Sequence, residues 1–238
     1  MGLNKIKGNM YSDMGLTHTW NPLSGTCNHG CTYCSTNKLR RYEVIDAKYS
    51  GECRIVGKDL CNLGKGNTIF VCAQTDLFAS DVPNQLILRI LEHMDKFDNK
   101  YVLQTKNPAK LTWFVNNLSV FRKCIIGTTV ESDIDYPEIT VGVPSPFERC
   151  YVISKLDEII DTFITIEPIM QFNLVRLLEL IKMSNTKLIN IGADSGNNNL
   201  PEPTSLEIHQ LVNELKSIPG MKVNLKDNLK RLYDKEKI

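Results

Sequence analysis

A parallel α/β fold, built as a full or partial β/α barrel of six or seven units, is what this sequence predicts. Three observations carry that prediction. Short apolar, β-branched runs alternate with segments of helical periodicity, as βαβ units require. Run after run ends in a polar residue, the pattern of a barrel whose site gathers at the carboxyl ends of its strands. The length, 238 residues, suits one domain (1–238) with a core of its own.

The first strand precedes a cysteine-rich segment. The runs that follow are Thr68–Ala73, Tyr101–Leu103, Cys124–Val130, Thr162–Ile166, Lys187–Ile191 and Met221–Leu225. Between them Pro83–Phe97 is the clearest helix. Leu86, Ile90, Met94 and Phe97 recur at spacings of three and four, with Asp81 as N-cap and Pro83 in the first turn. His93 on this helix reads as exposed, and Trp113 and Phe114 read as the core face of a second helix, Pro108–Leu118. Asn173–Met183 and Thr204–Ser217 have the same character, the last ending before Pro219-Gly220. Two stretches break the rhythm. Arg41–Asn67, with four glycines, reads as a long excursion after the first helix, and Asp133–Pro146, with three prolines, as a loop over one mouth of the barrel.

Net charge is +1, so no basic surplus announces nucleic acid and no acidic tail is present. No apolar run reaches the length of a membrane span. The polar start, Met1 to Met10, carries Lys5 and Lys7 and lacks the apolar centre of a signal peptide, which implies a cytosolic protein. Thiols stay reduced there, so a tight group among eight cysteines points to metal or catalysis before disulfides. Cys53, Cys61, Cys72, Cys124 and Cys150 are scattered and read as small buried residues.

Cys27, Cys31 and Cys34 form that group, spaced C-x3-C-x2-C, with Gly30 to turn the backbone. Three thiolates on one loop can hold one metal centre. A structural site takes four ligands and is closed, whereas three leave a position open for chemistry. Zinc held by the three cysteines with His29 or His18 is the alternative. His29 lies between two ligands, where tetrahedral closure is awkward, and no second C-x2-C pair follows.

These cysteines, with aromatic Tyr33 before the last, resemble the defining motif of the radical SAM superfamily. Within it the chain resembles a phage- and bacterium-borne group of radical SAM-like proteins. The shared pieces are Thr19-Trp20-Asn21-Pro22, Thr75-Asp76-Leu77-Phe78, Thr105-Lys106, Val130-Glu131, Glu167-Pro168 and Asp194-Ser195-Gly196. That group often carries Gly-Gly-Glu-Ser-Gly where this chain has Gly192-Ala193-Asp194-Ser195-Gly196, with a shorter carboxylate.

The resemblance implies a [4Fe–4S] cluster on Cys27, Cys31 and Cys34 that binds and reductively cleaves S-adenosylmethionine. The resulting 5′-deoxyadenosyl radical would take hydrogen from a substrate, and flavodoxin or ferredoxin would supply the electron. It places Tyr33 beside the adenine, with core packing as the bland alternative, and Thr75 and Asp76 at the methionine ammonium, where an acceptor suits a cation. Thr129, Glu131 and Glu167 become partners for ribose hydroxyls or substrate, and Gln104 and Lys106 face the cavity. Glu167, Asp194 and Lys226 are the candidates nearest the chemistry, Asp194 and Lys226 also being readable as a buried structural pair. Phage-type relatives suggest a nucleotide or nucleic-acid substrate in a host cytoplasm, by analogy alone. Lys38, Arg40 and Arg41 could meet a phosphate or form a solvated helix face. The competing class is a non-catalytic zinc or iron–sulfur module that binds a partner or senses redox state.

Overall fold

The computed structural model describes residues 2–6, 11 and 14–234, so part of the polar opening stretch lies outside the described residues. In chain order the elements are β1 (Asn4–Lys5), β2 (His18–Trp20), β3 (Leu23–Ser24), α1 (Ser35–Leu39), α2 (Glu43–Tyr49), β4 (Arg54–Ile55) and β5 (Thr68–Val71). Then come α3 (Asn84–Asp95), β6 (Lys100–Gln104), α4 (Pro108–Val115), β7 (Cys124–Thr129), α5 (Pro146–Asp157) and β8 (Thr162–Ile166). Last are α6 (Leu174–Met183), β9 (Leu188–Ile191), α7 (Ser205–Ser217), β10 (Lys222–Leu225) and α8 (Lys230–Tyr233).

Strands β2 and β5 to β10 lie side by side in sequence order and pair in parallel, and β1 adds an antiparallel edge to β2. β1 and β10 stand at opposite ends of the order. The α/β class and the parallel repeat hold, but among the described residues the sheet does not close into a full barrel. No helix among them is long and apolar enough to cross a membrane.

Both faces of the sheet are covered, which is why its strands read as near-continuous apolar runs. Side chains alternate between the faces. Ile69, Val71, Tyr101, Leu103, Ile126, Ile164, Ile166, Ile189 and Ile191 pack toward the helices. Phe70, Val102 and Phe163 point the other way and meet Tyr11, which comes from the segment before β2. The same alternation carries Gln104, Thr129, Thr165, Asn190 and Asn224 onto this inner face. Register aligns the last four, since Thr129 lies opposite Thr165, Thr165 opposite Asn190, and Asn190 opposite Asn224. A polar row therefore crosses the inner face above an apolar plug.

Gly127 sits beneath that row, and a Cβ built there would overlap the ring of Phe163. A ring buried in β8 cannot swing aside, so Gly127→Ala should destabilise the protein by about 1–3 kcal/mol, the usual cost of overpacking. Urea unfolding measures this, and an unchanged midpoint would refute the contact.

The helices correct several details. Pro83 precedes α3 as its N-cap residue, so Asp81 does not cap it. Asn173 and Thr204 cap α6 and α7, Thr204 in a capping box with Glu207. His93 is half-buried, bonded through Nε2 to the Cys61 carbonyl (2.8 Å), with its ring near Trp20. Phe114 is core, but Trp113 is 75 % exposed, because α4 turns its adjacent residue outward. Helix α5 escapes the periodicity reading because its inner face holds polar Arg149 and Ser154, both buried. The excursion after the first helix contains α2, β4 and a short 3-10 turn, Gly57–Asp59.

Candidate active site

The chain leaves β2 through Trp20-Asn21-Pro22, and this turn is anchored from three sides. The Trp20 indole Nε1 donates to the Asp59 carbonyl at 2.7 Å, Asn21 Oδ1 accepts from the Gln74 amide at 3.1 Å, and Lys48 Nζ reaches the Asn21 carbonyl at 2.8 Å. Lys48 also pairs with buried Asp59 (2.9 Å), so the excursion folds back to brace the start of the cysteine loop. At Gly25, φ is +110° and a Cβ would stand 2.6 Å from the Glu52 carbonyl, which only glycine tolerates. On the far side, the Thr32 amide donates to the Ile139 carbonyl (3.0 Å), and Val141 packs where a side chain at Gly30 would stand. The proline-rich loop 133–146 thus lies against the cysteine loop.

Cys27, Cys31 and Cys34 line one wall of a cavity of about 590 Å³ on the inner face, at the carboxyl ends of the strands. That volume is in the range of small-molecule sites. Tyr33, Thr75, Asp76, Gln104, Thr129, Glu167, Asp194 and Lys226 line it too, together with Lys106. Of the site residues singled out from the sequence, Glu131 does not border the cavity, and it stands directly behind Tyr33 and Lys106. Burial, followed by the nearby Asp76 carboxylate, pushes the Cys27 thiol up to about 12. Burial also raises the Cys31 thiol, against the pull of Lys106. Such thiols give up their protons when a cationic centre binds.

Three hydrogen-bonded groups organise the wall. Part-buried Asp76 receives four donors: His29 Nε2 (2.9 Å), Thr105 Oγ1 (3.0 Å) and the Lys106 amide (2.7 Å) on Oδ2, and the Phe78 amide (2.9 Å) on Oδ1. Burial alone would raise its pKa, but His29 and these donors outweigh that and hold the carboxyl below its ordinary value. Glu131 accepts from Tyr33 Oη, Lys106 Nζ (2.8 Å) and Arg149 Nη1 (2.8 Å). Burial opposes its ionisation too, and the two cations overcome it, leaving the carboxyl far below the usual carboxylate range. Opposite the cysteines, Glu167 accepts from Lys226 Nζ and from Asn228 Nδ2 (2.7 Å), while Lys226 also lies 5.0 Å from the centre of the Tyr11 ring.

Asp194 and Lys226 do not pair. Lys226 extends from the end of β10 to Glu167, two strands away, whereas the Asp194 carboxylate turns back on its own loop and accepts from the Gly196 and Asn198 amides and from Asn198 Nδ2. Lys38 reaches across the mouth to the Gly196 carbonyl, and Arg40 pairs with Asp46 at 2.7 Å. Gln104 bridges Tyr11 Oη (2.7 Å) and Thr129 Oγ1 (2.9 Å). Sequence reading missed Tyr11, Arg149 and Asn228. Strand parity could have placed Gln104 and Thr129 on one face, but nothing local marks a tyrosine before β2 or an arginine on α5.

A family model described as "Protein of unknown function (DUF5131)" matches residues 15–205. No curated protein matches the chain. Among solved structures, a cysteine-to-serine mutant of spore photoproduct lyase shares the fold with a TM-score of 0.61 at 10 % identity, over 89 % of this chain and 77 % of that one. Spore photoproduct lyase complexed with dinucleoside spore photoproduct gives 0.60 at 10 % identity with the same coverage. A tyrosine-to-phenylalanine mutant of that lyase gives 0.54 at 12 %, over 80 % of this chain and 60 % of the other.

Proposed function

The chain belongs to the DUF5131 family, and on that premise we propose that it is a radical S-adenosylmethionine enzyme. The observation that carries the reading is the shared cavity: three thiols in C-x3-C-x2-C spacing face the polar carboxyl ends of the parallel strands. The donor types suit a [4Fe–4S] cluster, since three thiols of one loop border one cavity, although among the described residues no three of His, Cys, Asp and Glu stand close enough together to hold a single metal ion. His29, the other donor on the loop, gives its Nε2 to Asp76.

Cys27, Cys31 and Cys34 would hold the cluster, which together with S-adenosylmethionine would supply one-electron cleavage of the C5′–S bond and hydrogen-atom abstraction from the substrate. The chain supplies position and shelter. Tyr33, its hydroxyl tied to Glu131 and Lys106 Nζ 5.3 Å from its ring centre, offers a fixed aromatic surface for adenine. Thr75 and Asp76 meet the ammonium, since Asp76 Oδ1 takes a single protein donor and a carboxylate oxygen accepts more. Gln104 and Thr129 serve the ribose. Glu167 and Lys226, on the opposite wall, face the substrate, and Asp194 shapes the loop beside them. Tyr11 and Phe70 close the cavity floor against water.

A flavodoxin or ferredoxin is the electron donor that suits this chemistry. A nucleotide or nucleic-acid substrate is supported by the fold neighbour that holds a dinucleoside, and by the likeness to the phage- and bacterium-borne group. The test is to purify the protein without oxygen, count iron and sulfide, reduce it and add S-adenosylmethionine. About four irons and four sulfides per chain and formation of 5′-deoxyadenosine are expected. Zinc without iron would overturn the reading, and iron with no cleavage under several reductants would favour a redox sensor.

A further inference from the structure

Three lysines border the main cavity, and they are not held alike. Lys106 stands 2.8 Å from the Glu131 carboxylate, and Lys226 pairs with Glu167. Lys38 forms no ion pair among the described residues. Its ammonium, carried on α1 just after the cysteine loop, donates instead to the Gly196 carbonyl on the loop that follows β9. An ammonium has three donors, and one carbonyl takes one of them. The two arginines next in the basic cluster are engaged elsewhere. Arg40 bonds Asp46 (2.7 Å) and Ser50 Oγ (2.8 Å), Arg41 lies over the Tyr42 ring at 4.9 Å, and neither borders the cavity. Of that cluster only Lys38 is presented to the mouth.

The opposite lip gives each residue of Asp194-Ser195-Gly196 a task. Asp194 accepts from the Gly196 amide (2.9 Å), the Asn198 amide and Asn198 Nδ2 (2.6 Å), which folds the loop on itself. Its charge interacts with that of Lys38, without an ion-pair contact between them. Ser195 Oγ accepts from Asn228 Nδ2 at 2.7 Å, and a hydroxyl that accepts keeps its own proton to give. At Gly196 a Cβ would stand 2.7 Å from Lys38 Nζ, so glycine leaves the ammonium room to settle on that carbonyl. Lys38, Ser195 and Gly196 all border the cavity. A cation with spare donors and a hydroxyl with a proton to give therefore meet at one place on the rim. A phosphate oxygen offers that ammonium a full negative charge where the carbonyl offers only a dipole.

We propose that Lys38 and Ser195 form a phosphate-binding subsite at the cavity mouth, and that the Lys38–Gly196 contact is a latch which a phosphate group of the substrate displaces. The inference rests on the nucleotide reading above and narrows it. The substrate carries a phosphate that stays at the rim, and the rest of it reaches inward toward Glu167 and Lys226.

Protein purified without oxygen is titrated by calorimetry with nucleoside 5′-monophosphates, with the parent nucleosides, and with short mixed-sequence single-stranded DNA and RNA. A phosphate-bearing probe should bind the wild type. Lys38→Met should weaken that binding about 10-fold or more, the loss expected for one charge-assisted hydrogen bond, and Ser195→Ala should weaken it less. With an oligonucleotide, the slope of log affinity against log salt should become shallower by about 0.7 in Lys38→Met, because one phosphate contact is gone. Lys38 is exposed, so the variant should fold as the wild type does. Binding of monophosphates identifies a free nucleotide, binding of oligonucleotides alone identifies a strand, and either supports the subsite. Three results would overturn it: no phosphate-bearing probe bound by the wild type, unchanged affinity in Lys38→Met, or equal weakening of nucleoside and monophosphate, which would show that Lys38 only ties the mouth together. Formation of 5′-deoxyadenosine by the same wild-type preparation scores the radical reading separately. Cleavage without phosphate binding removes only the subsite, and phosphate binding through Lys38 without cleavage removes only the radical reading.

Discussion

Cys31→Ser is expected to lose its iron and with it all cleavage of S-adenosylmethionine. The substitution is close to isosteric at a site 7 % exposed, and the thiol makes a weak hydrogen bond to the His29 carbonyl (3.7 Å), which a hydroxyl can replace. The fold should therefore survive. The ligand does not, because a serine hydroxyl stays protonated where a thiol ionises and is a harder donor than iron–sulfur centres accept. Outer partners of metal sites alone are worth about 10–100-fold in affinity or activity, so loss of a ligand should exceed about 100-fold in the yield of 5′-deoxyadenosine. Cys150→Ser, altering a buried thiol on α5 that does not border the cavity, is the control and should retain full iron. Cleavage retained by Cys31→Ser would refute the ligand assignment.

Glu131→Gln should be the most destabilising single change outside the apolar core. Glu131 and Arg149 are each 2 % exposed in their side chains, and Lys106 is the second cation on the same carboxylate. A neutral amide leaves both cations without a counter-charge and replaces one of the two acceptor oxygens with an NH2 donor, which cannot accept from Tyr33, Lys106 or Arg149. Breaking one partner of a buried pair costs about 3–5 kcal/mol. For a protein of this size that corresponds to a fall in Tm of about 6–20 °C. Arg149→Met should cost less, because Lys106 still balances the carboxylate. Thermal and urea unfolding decide the order, and a loss under about 1 kcal/mol in Glu131→Gln would show that the network contributes nothing. The pH dependence follows from the depressed pKa of Glu131. A carboxylate whose folded pKa lies below its unfolded value, about 4.3, stabilises the protein above that value and loses the contribution as pH falls toward the folded one. Wild-type stability should therefore decline below about pH 4 more steeply than that of Glu131→Gln, which lacks this group.

Much of the site is legible in the sequence, for a local reason. Strand side chains alternate with a period of two, so Gln104, Thr129 and Glu167 stand visibly at the ends of apolar runs, and strands that alternate with helices bring all such ends to one edge of a parallel sheet. The cysteine spacing is equally local, since all three thiols sit within eight residues, 27 to 34. These signals bring the three thiols and the polar strand ends to one cavity.

Partnership is not legible. Spacing allows Lys226 to pair with Asp194, yet it bonds Glu167, 59 positions away, because side-by-side strand order and register decide which ends meet. Tyr11 reaches Gln104 across 93 positions, and Arg149 reaches Glu131 from a helix whose polar inner face hides it from a search for apolar periodicity. Sequence alone leaves His29 a possible ligand, and only the placement of β5 and β6 shows that Asp76 claims its outer nitrogen. Whether the sheet closes is also beyond the sequence, because closure depends on twist and stagger summed over every strand. Short-range spacing sets which residues stand at the strand ends and puts three thiols on one loop, so both can be read from the residues alone. Tertiary structure alone decided which of those groups face one another, because long-range pairing is set by strand order, and the chain carries no local mark of it.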